Sequence, residues 1–281
     1  DPEMSRGLGD VYKRQVYELV KERQEDFPHI CGTQIEIAKI LVRDASKERE
    51  GIPSELLTDN WKQIIADDSI SIIIEVMGGI EPAKSYLLEA MKAGKQVVTA
   101  NKDLIAEHGH ELLDTAEQYG CDFKFEAAVA GCVPIIQILK QSMSSENITE
   151  IMGIVNGTTN YILSKMTDEG KSFEEVLKRA QEKGYAERNP EADVEGYDAC
   201  RKIAILTSLA LGKQVDYQDI YTEGITKITK TDIEYAKVLH ASIKLLGTSK
   251  WEDDGKIYSM VAPFMICLLY TSDAADDSLR V

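Results

Sequence analysis

Short apolar runs alternate with amphipathic stretches of helical period through the first half of the chain. Three of these runs predict strands, at residues 71–79, 96–102 and 122–131, and the first is expected to be buried. The stretches between them predict helices at residues 82–93 and 103–119, and a glycine follows each one, Gly94 or Gly120. Glycine readily adopts the left-handed conformation that ends a helix. Strands that alternate with helices over short links predict an α/β fold with a Rossmann-like, doubly wound parallel sheet.

Three more elements are predicted before this sheet. Residues 34–42 alternate and then become wholly apolar, which predicts a strand, and residues 61–68 predict a short helix. Residues 16–27 predict a helix whose apolar face is made of three residues, Val16, Leu19 and Val20.

The pattern changes after Pro134. Four helices are predicted beyond it, at residues 134–145, 172–183, 198–211 and 231–246, with two strands at 219–228 and 256–266. This half is therefore expected to form a second, α+β domain. The expected boundaries are 16–133 for a partial dinucleotide-binding domain and 134–266 for a substrate-binding and catalytic domain that is truncated at its C-terminal end.

Composition narrows the possible partners. The chain has 281 residues, of which 43% are hydrophobic and 28% are charged, and its net charge is -16. Such a charge disfavours binding to nucleic acid or to an anionic membrane and leaves a small molecule as the expected partner. Five cysteines without a C-x-x-C pair are typical of a reducing compartment, so we expect a cytoplasmic protein.

One predicted helix carries candidate chemistry. Asp198 and Lys202 are four residues apart on it and therefore share a face. On spacing alone a surface ion pair explains them, but the helix is apolar around much of its circumference, and a buried lysine and carboxylate need each other or a ligand. Further carboxylates precede them at Glu187, Asp193 and Glu195. Several carboxylates and one lysine suit a zwitterionic substrate that bears an amino group.

Two other polar stretches leave alternatives open. NGTTN (156–160) presents backbone amides and hydroxyls to a ligand, or else forms an ordinary helix cap through Thr158 or Thr159. Lys102 follows a predicted parallel strand, at the edge where ligands of such sheets bind. The alternative for Lys102 is an ordinary solvated lysine.

Six motifs, in order and in register, resemble those of homoserine dehydrogenases. They are EVMGG (75–79), TANKD (99–103), FEAAVAG (125–131), GIVNGTTNYIL (153–163), GYAE (184–187) and DVEGYDACRKIAIL (193–206). The resemblance extends from about Val16 to about Ile266. It implies an enzyme that interconverts L-homoserine and L-aspartate 4-semialdehyde with a nicotinamide cofactor, a step that supplies threonine, methionine and isoleucine synthesis.

The resemblance also implies roles for residues of the site. Lys202 resembles the family's acid/base lysine, and Lys102 resembles a second active-site lysine near both nicotinamide and substrate. Asp198 and Glu187 resemble the carboxylates that hold substrate, with Asp193 in support.

Further implied sites concern the cofactor, a cation and a partner subunit. Gly78 and Gly184 resemble positions where the backbone approaches the cofactor. A monovalent-cation site, for an ion such as sodium, is implied at Glu126 and three backbone carbonyls, those of Val129, Gly131 and Val133. Cys132 stands in this loop where the family usually has glycine. A homodimer is expected from the resemblance alone.

Cofactor preference is open between NADP and NAD. A ribose-binding acid or a phosphate-binding base belongs near the end of the second strand. Arg43 lies there, with Lys47 and Arg49 following, and these cations favour NADP. The alternative is that Asp44 accepts the ribose hydroxyl and that NAD binds as well.

The two ends depart from the family pattern. Residues 1–15 and 267–281 resemble translated sequencing-adapter read-through and are expected to be non-native. Gly7 and Gly9 imitate the start of a G-x-G-x-x-G turn, but Tyr12 stands where the third glycine belongs. We therefore expect the first strand of the Rossmann-like sheet to be missing and the chain to bind cofactor poorly. Two alternatives remain, namely an inactive fragment and another two-domain NAD(P) oxidoreductase acting on an aldehyde or sugar.

Overall fold

The computed structural model describes residues 14–131, 133–252 and 254–267. The chain divides into two compact units, Asp1–Ala127 and Ala128–Val281. The expectations for residues 1–13 and 268–281 and for Cys132 lie outside the described residues.

The first unit opens with two helices, α1 (residues 14–22) and α2 (Phe27–Cys31). Strand β1 (Ile40–Leu41) pairs in parallel with β2 (Leu57–Thr58), and helix α3 (Trp61–Ile65) follows. The helix at 16–27 was predicted with the wrong face, because Tyr17 is buried and Leu19 is exposed. The strand at 34–42 was predicted too long, since only Ile40 and Leu41 find a strand partner in the described chain.

The main sheet of this unit consists of β3 (Ile72–Glu75), β4 (Gln96–Thr99) and β5 (Phe123–Lys124), in that order. Both pairings are parallel, so the predicted parallel sheet is confirmed. Register places Glu75 opposite Thr99, which brings the polar ends of two strands level. The expected burial of residues 71–79 is wrong in part, because Ile72 and Ile74 are 45% and 46% exposed and only the opposite face is covered.

Two predicted helices of this unit are confirmed, α4 (Ala83–Lys92) and α5 (Lys102–Tyr119). Gly120 caps α5 in the left-handed conformation, as the sequence predicts. At the other end of α5, the side chain of Asn101 accepts a hydrogen bond from the backbone N–H of Leu104. This cap begins α5 directly after β4, so Lys102 lies in the first turn of the helix.

The second unit contains a four-stranded sheet and several helices. Its helices are α6 (Ile135–Gln137), α7 (Gly157–Glu169), α8 (Phe173–Glu182), α9 (Glu191–Val194), α10 (Tyr197–Leu211) and α11 (Lys230–Val238), with a π-helical turn at Ile138–Ser142. Its strands are β6 (Glu150–Gly153), β7 (Tyr221–Thr222), β8 (Ala241–Trp251) and β9 (Ile257–Cys267). The sheet order is β6-β8-β9-β7, and only the β7–β9 pairing is parallel within the described residues.

One prediction in this unit is wrong. The helix expected at 231–246 ends at Val238, and β8 occupies the second half of that range. His240 separates the two elements with a φ of 53°, a left-handed conformation that no helix continues through. Buried positions alternate from Ala241 to Leu245, as on a strand, and β8 pairs with β9 along its whole length. This pairing, which places Ala241 opposite Cys267, outweighs local helical propensity. The strand expected at 219–228 shrinks to Tyr221–Thr222.

The core of the second unit lies where α7 and α10 meet the sheet. Ile162 and Leu163 of α7 and Ile203 of α10 are fully buried there with Leu245 of β8. The backbone at Gly224 packs directly against the backbone at Val194, the last residue of α9. A Cβ on Gly224 would lie 2.2 Å from the carbonyl oxygen of Val194, so only glycine fits there. Buried residues of α7, α9 and α10 therefore pack in one common core. None of the described helices is long and apolar enough to cross a membrane.

Candidate active site

A pocket of about 530 Å³ lies in the second unit. It is lined by Asn156, Gly157, Thr158, Tyr161, Tyr185, Asp193, Asp198 and Lys202. The fold thus brings together three residues that the sequence nominates, two carboxylates and the lysine, with the NGTTN stretch. The NGTTN stretch begins α7, Asp193 lies in the short helix α9, and Asp198 and Lys202 lie in the first two turns of α10.

Lys202 and Asp198 form an ion pair on α10. The Nζ of Lys202 lies 2.6 Å from Oδ2 of Asp198 and also donates to the carbonyl oxygen of Val155 at 2.8 Å. The two side chains are only 18% and 6% exposed. The alternative of a solvated surface pair is therefore wrong, and the pair is a partly desolvated group inside a pocket.

The start of α10 explains why Asp198 can be buried. Gly196 precedes the helix with a φ of 84°, and a Cβ there would lie 3.2 Å from side-chain atoms of both Thr222 and Val261. Asp198 is the second residue of α10 and lies in its first turn, where unpaired backbone N–H groups favour a negative charge.

Asn156 caps α7 and reaches the carboxylates at the same time. Its Oδ1 accepts a hydrogen bond from the backbone N–H of Thr159 at 2.8 Å. Its Nδ2 donates to Asp193 at 2.7 Å and to Asp198 at 3.0 Å. A helix cap in NGTTN is thus present, but its capping side chain is Asn156 and not Thr158 or Thr159. Sequence reasoning left Asn156 without a role of its own.

Aromatic side chains form another wall of the pocket. Tyr161 of α7 meets Tyr185 edge to face, with ring centroids 5.0 Å apart. Thr158 Oγ1 of α7 donates to the carbonyl oxygen of Tyr185 at 3.0 Å. This bond links the loop after α8, which contains Tyr185, to α7. The hydroxyl of Tyr161 is buried and has no hydrogen-bond partner among the described residues.

Two predicted site residues lie on the loop after α8. Glu187 is exposed and is not among the described residues that line the pocket. Its backbone carbonyl accepts from Gln181 Nε2 at 3.0 Å, so its position in the chain is held while its side chain faces outward. Gly184, with a φ of 74°, makes the turn that ends α8.

At the carboxyl ends of β3 and β4, the buried Glu75 organises the turn that contains Gly78. One oxygen of Glu75 accepts from the backbone N–H groups of Met77 at 2.5 Å and of Gly78 at 3.1 Å. The other accepts from Thr99 Oγ1 at 2.5 Å. Glu75 is thus a structural acceptor, and Lys102 lies partly buried in the next helix at the same edge of the sheet.

The loop after β1 carries the residues proposed to select the cofactor. Hydrogen bonds from the Ser46 side chain and backbone to Oδ1 of Asp44 lower the pKa of that carboxyl below its ordinary value. Arg49 Nη1 donates to the carbonyl oxygens of Asp44 and Lys47 at 3.1 and 2.9 Å. Arg49 therefore shapes the loop, while Arg43 is exposed.

The predicted cation loop contains a tight turn. Val129 is fully buried, Ala130 has a φ of 53°, and the N–H of Val133 donates to the carbonyl oxygen of Ala130 at 2.8 Å. Gly131 and Val133 are exposed, and Glu126 opens a short 3-10 turn just before this loop. Among the described residues no group of three His, Cys, Asp or Glu side chains is placed to hold a metal. A site of backbone carbonyls stays a prediction.

A parallel α/β unit followed by an α+β unit with a lysine–carboxylate pocket is typical of two-domain, nicotinamide-dependent oxidoreductases. A sequence model described as the NAD binding domain of homoserine dehydrogenase matches residues 7–126. A second, described as homoserine dehydrogenase, matches residues 134–269. The chain belongs to the homoserine dehydrogenase family.

Relatives support the same assignment over most of the chain. Homoserine dehydrogenase of Bacillus subtilis is 46% identical over 261 residues, which cover 92% of this chain and 60% of the relative. The crystal structure of a homoserine dehydrogenase from Thiobacillus denitrificans is 40% identical, with a TM-score of 0.82 over 89% of this chain and 58% of that one.

A hyperthermophilic archaeal homoserine dehydrogenase in complex with NADPH is 28% identical, with a TM-score of 0.64 over 74% of this chain and 60% of that one. The chain thus spans about three fifths of the length of the curated relative from Bacillus subtilis.

Proposed function

We propose that the protein containing this chain is a homoserine dehydrogenase, which interconverts L-homoserine and L-aspartate 4-semialdehyde with a nicotinamide cofactor. This reaction serves threonine, methionine and isoleucine synthesis. The observation that carries the proposal is the desolvated Lys202–Asp198 pair in a pocket that also holds Asp193. Membership of the family supports it.

The residues of the pocket suit the proton transfer that the reaction requires. A bound nicotinamide supplies or accepts the hydride. During reduction the Lys202 ammonium, held between Asp198 and the carbonyl of Val155, donates a proton to the substrate oxygen. During oxidation the neutral Lys202 amine takes the proton from the substrate hydroxyl and becomes the ammonium again. An aldehyde accepts hydride directly, so no covalent nucleophile is required.

The carboxylates suit the amino group of homoserine. Asp193 and Asp198 share the hydrogen-bond donors of Asn156, and both line the pocket. Glu187 joins them in this proposal from the loop after α8, where its exposed side chain is available to a ligand. A cationic ammonium group would offset the charge that these carboxylates concentrate in one place.

For the cofactor we propose NADP. Gly78 and Gly79 both have a φ of 75° and open space where a Cβ would stand, which suits close approach of a ligand to the backbone. Arg43 and Lys47 are exposed cations after β1 that suit a 2′-phosphate. The NADPH complex of the archaeal relative agrees with this choice. The roles of Lys102 and Gly184 toward the cofactor are part of the same proposal.

We further propose the sodium site at Glu126 and the carbonyls of Val129, Gly131 and Val133. Its support is the tight turn at Ala130, whose φ of 53° reverses the chain between Val129 and Gly131. A cytoplasmic location remains a prediction from the cysteine pattern.

A homodimer is proposed as well. Its support is one row of residues that crosses the whole sheet of the second unit in register, Met152, Thr248, Met260 and Tyr221. Three of them, all but Thr248, are exposed, which leaves an apolar sheet face for a second copy.

Ligand binding tests the proposed substrate without requiring turnover. L-homoserine and L-2-aminobutyrate, which lacks only the hydroxyl, are titrated into the 281-residue chain by calorimetry. We expect homoserine to bind more tightly by tenfold or more, because a site built to bind a hydroxyl strongly disfavours an analogue without one. Equal affinities would contradict the proposed contact between Lys202 and the substrate hydroxyl.

A further inference from the structure

The side-chain amide of Asn156 joins three helices of the second unit. Asn156 is the N-cap of α7, Asp193 belongs to α9, and Asp198 belongs to α10. Asn156 is only 5% exposed, so its amide relies mainly on partners within the protein. The carboxylates lie 37 and 42 residues further along the chain, and the fold alone brings them to this amide.

The two ends of this amide have separate tasks. Oδ1 accepts from the backbone N–H of Thr159 and from its hydroxyl, at 2.8 and 2.9 Å, and so caps α7. Because Oδ1 faces an N–H group, Nδ2 must face the carboxylates. It donates one hydrogen bond to Asp193 Oδ1 and one to Asp198 Oδ2, which uses both of its protons.

The two hydrogen bonds from Asn156 Nδ2 to Asp193 and Asp198 form a bridge between the carboxylates, and this bridge shares one atom with the Lys202–Asp198 ion pair. Oδ2 of Asp198 accepts from Asn156 at 3.0 Å and is also the oxygen that lies 2.6 Å from Lys202 Nζ. Asn156 therefore fixes the rotation of the Asp198 carboxylate that Lys202 contacts. It also holds Asp193 next to Asp198 with a neutral donor, so two like charges stay close without a cation between them.

We propose that Asn156 is a positioning residue for the dehydrogenase reaction, acting through Asp198 on Lys202 and through Asp193 on the substrate amino group. This inference rests on the proposed function and deepens it. The cap and the bridge can be separated chemically, because aspartate caps a helix as well as asparagine does but cannot donate a hydrogen bond.

The decisive variant is therefore Asn156→Asp, which keeps the capping oxygen and removes both donors. Asn156→Ser, which also caps but is too short to bridge, provides a second variant without added charge. Asn60→Asp is the matched control, since Asn60 caps α3 through the same kind of bond, to the N–H of Lys62. All are made in a version of the protein extended to the length of its relatives.

We expect kcat to fall about 100-fold in both Asn156 variants, the loss typical of a reacting group displaced by about 1 Å, while KM for NADPH stays unchanged. In Asn156→Asp the acid limb of the pH–rate profile should also move to higher pH, because a third carboxylate favours protonation of the cluster. Asn60→Asp should change neither quantity. If both Asn156 variants keep kcat within threefold and an unaltered pH profile, the inference is wrong.

A readout without turnover separates this inference from the proposed function. The side-chain amide resonances of Asn156 are recorded by NMR in the parent chain and in Asp193→Asn and Asp198→Asn. We expect both substitutions to shift these resonances, because each replaces a charged acceptor of the amide. No shift in either variant would overturn the bridge. The expected shifts in both variants, together with a parent that turns over no aspartate semialdehyde, would refute the proposed function alone.

Discussion

Lys202 Nζ lies 2.6 Å from Asp198 Oδ2, one turn away on the same helix, and both side chains are largely withdrawn from water. The second unit contains another lysine–carboxylate pair at the same spacing, Lys165 and Glu169 on α7, with a distance of 3.5 Å and greater exposure. The same four-residue spacing, with the order of lysine and carboxylate reversed, thus occurs once inside the pocket and once near the surface. Burial and the carbonyl of Val155 distinguish the pair in the pocket.

The two pairs give the first prediction. We expect Lys202→Met to lower kcat by about 10²–10⁴-fold, the range typical of a lost general acid or base. Lys165→Met is the matched control and should leave kcat unchanged, with a stability loss of about 0.3–0.5 kcal/mol, as for exposed helical pairs. Steady-state kinetics and thermal unfolding measure both effects. Turnover by Lys202→Met within tenfold of the parent would show that the acid/base assignment is wrong.

The buried hydroxyls of Tyr161 and Thr159 give a stability prediction, because removal of each is expected to affect the unfolding free energy differently. The Tyr161 hydroxyl has no partner among the described residues, whereas the Thr159 hydroxyl bonds to the carbonyl and side-chain oxygens of Asn156. We expect Tyr161→Phe to keep or raise the unfolding free energy, since no hydrogen bond is lost. Thr159→Val should lower it by about 0.5–1.5 kcal/mol, the typical net contribution of a hydrogen bond, because the bonds from the hydroxyl to Asn156 are lost.

Chemical denaturation of both variants provides the comparison. A stability loss in Tyr161→Phe as large as that in Thr159→Val would mean that the phenol has a partner in the folded chain.

Gly224 gives a packing prediction. A Cβ there would lie 2.2 Å from the carbonyl oxygen of Val194 and 2.4 Å from the Cα of Glu195. We expect Gly224→Ala to lower stability by at least about 1–3 kcal/mol, as overpacking does, and to weaken homoserine binding by moving the neighbouring Asp193. Gly153→Ala is the control, because its Cβ would meet only Val155, at an ordinary 3.9 Å. Calorimetric binding equal to that of the parent in Gly224→Ala would contradict the expected displacement.

Lys244 gives a pH prediction. Its Nζ donates to Asn160 Oδ1 at 2.8 Å and to Ser164 Oγ at 2.7 Å. Burial lowers the pKa of Lys244 below its ordinary 10.5, and the charge of Asp168 opposes that shift only in part. Because the folded pKa is below the unfolded one, the unfolded chain holds this proton more tightly between the two values, and unfolding becomes less favourable as pH rises through that window.

The test compares the parent with Lys244→Met at increasing pH. We expect the stability of the parent relative to the variant to rise as pH increases toward 10.5, the ordinary lysine pKa. Urea denaturation at several pH values measures this difference. A difference that stays constant or falls would contradict the lowered pKa.

Local patterns were sufficient to predict part of this architecture. The spacing of Asp198 and Lys202 predicts one helical face because helix geometry is local. The alternation of strands and helices predicts the parallel sheet because a helical crossover connects parallel strands. In contrast, Ala241–Trp251 forms a strand because of its pairing with β9, and a helical period fits its first residues equally well.

In the site, too, some features follow from local sequence and others depend on contacts between distant residues. Asn156 stands before a helix, so its capping role could have been inferred from residue preference. Its bonds to two carboxylates far along the chain depend on the fold and leave no mark in local spacing. Glu187 was nominated by resemblance, and its exposed side chain keeps its role a prediction.

The most direct test of the account is NADPH oxidation by a version of this protein extended to the length of its relatives. Candidate substrates are L-aspartate 4-semialdehyde and, for comparison, simple aldehydes and aldose sugars that lack the amino and carboxyl groups. We expect NADPH consumption with aspartate semialdehyde, formation of L-homoserine in equal amount, and little turnover of the other compounds. Turnover of another aldehyde together with no NADPH consumption in the presence of aspartate semialdehyde would contradict it.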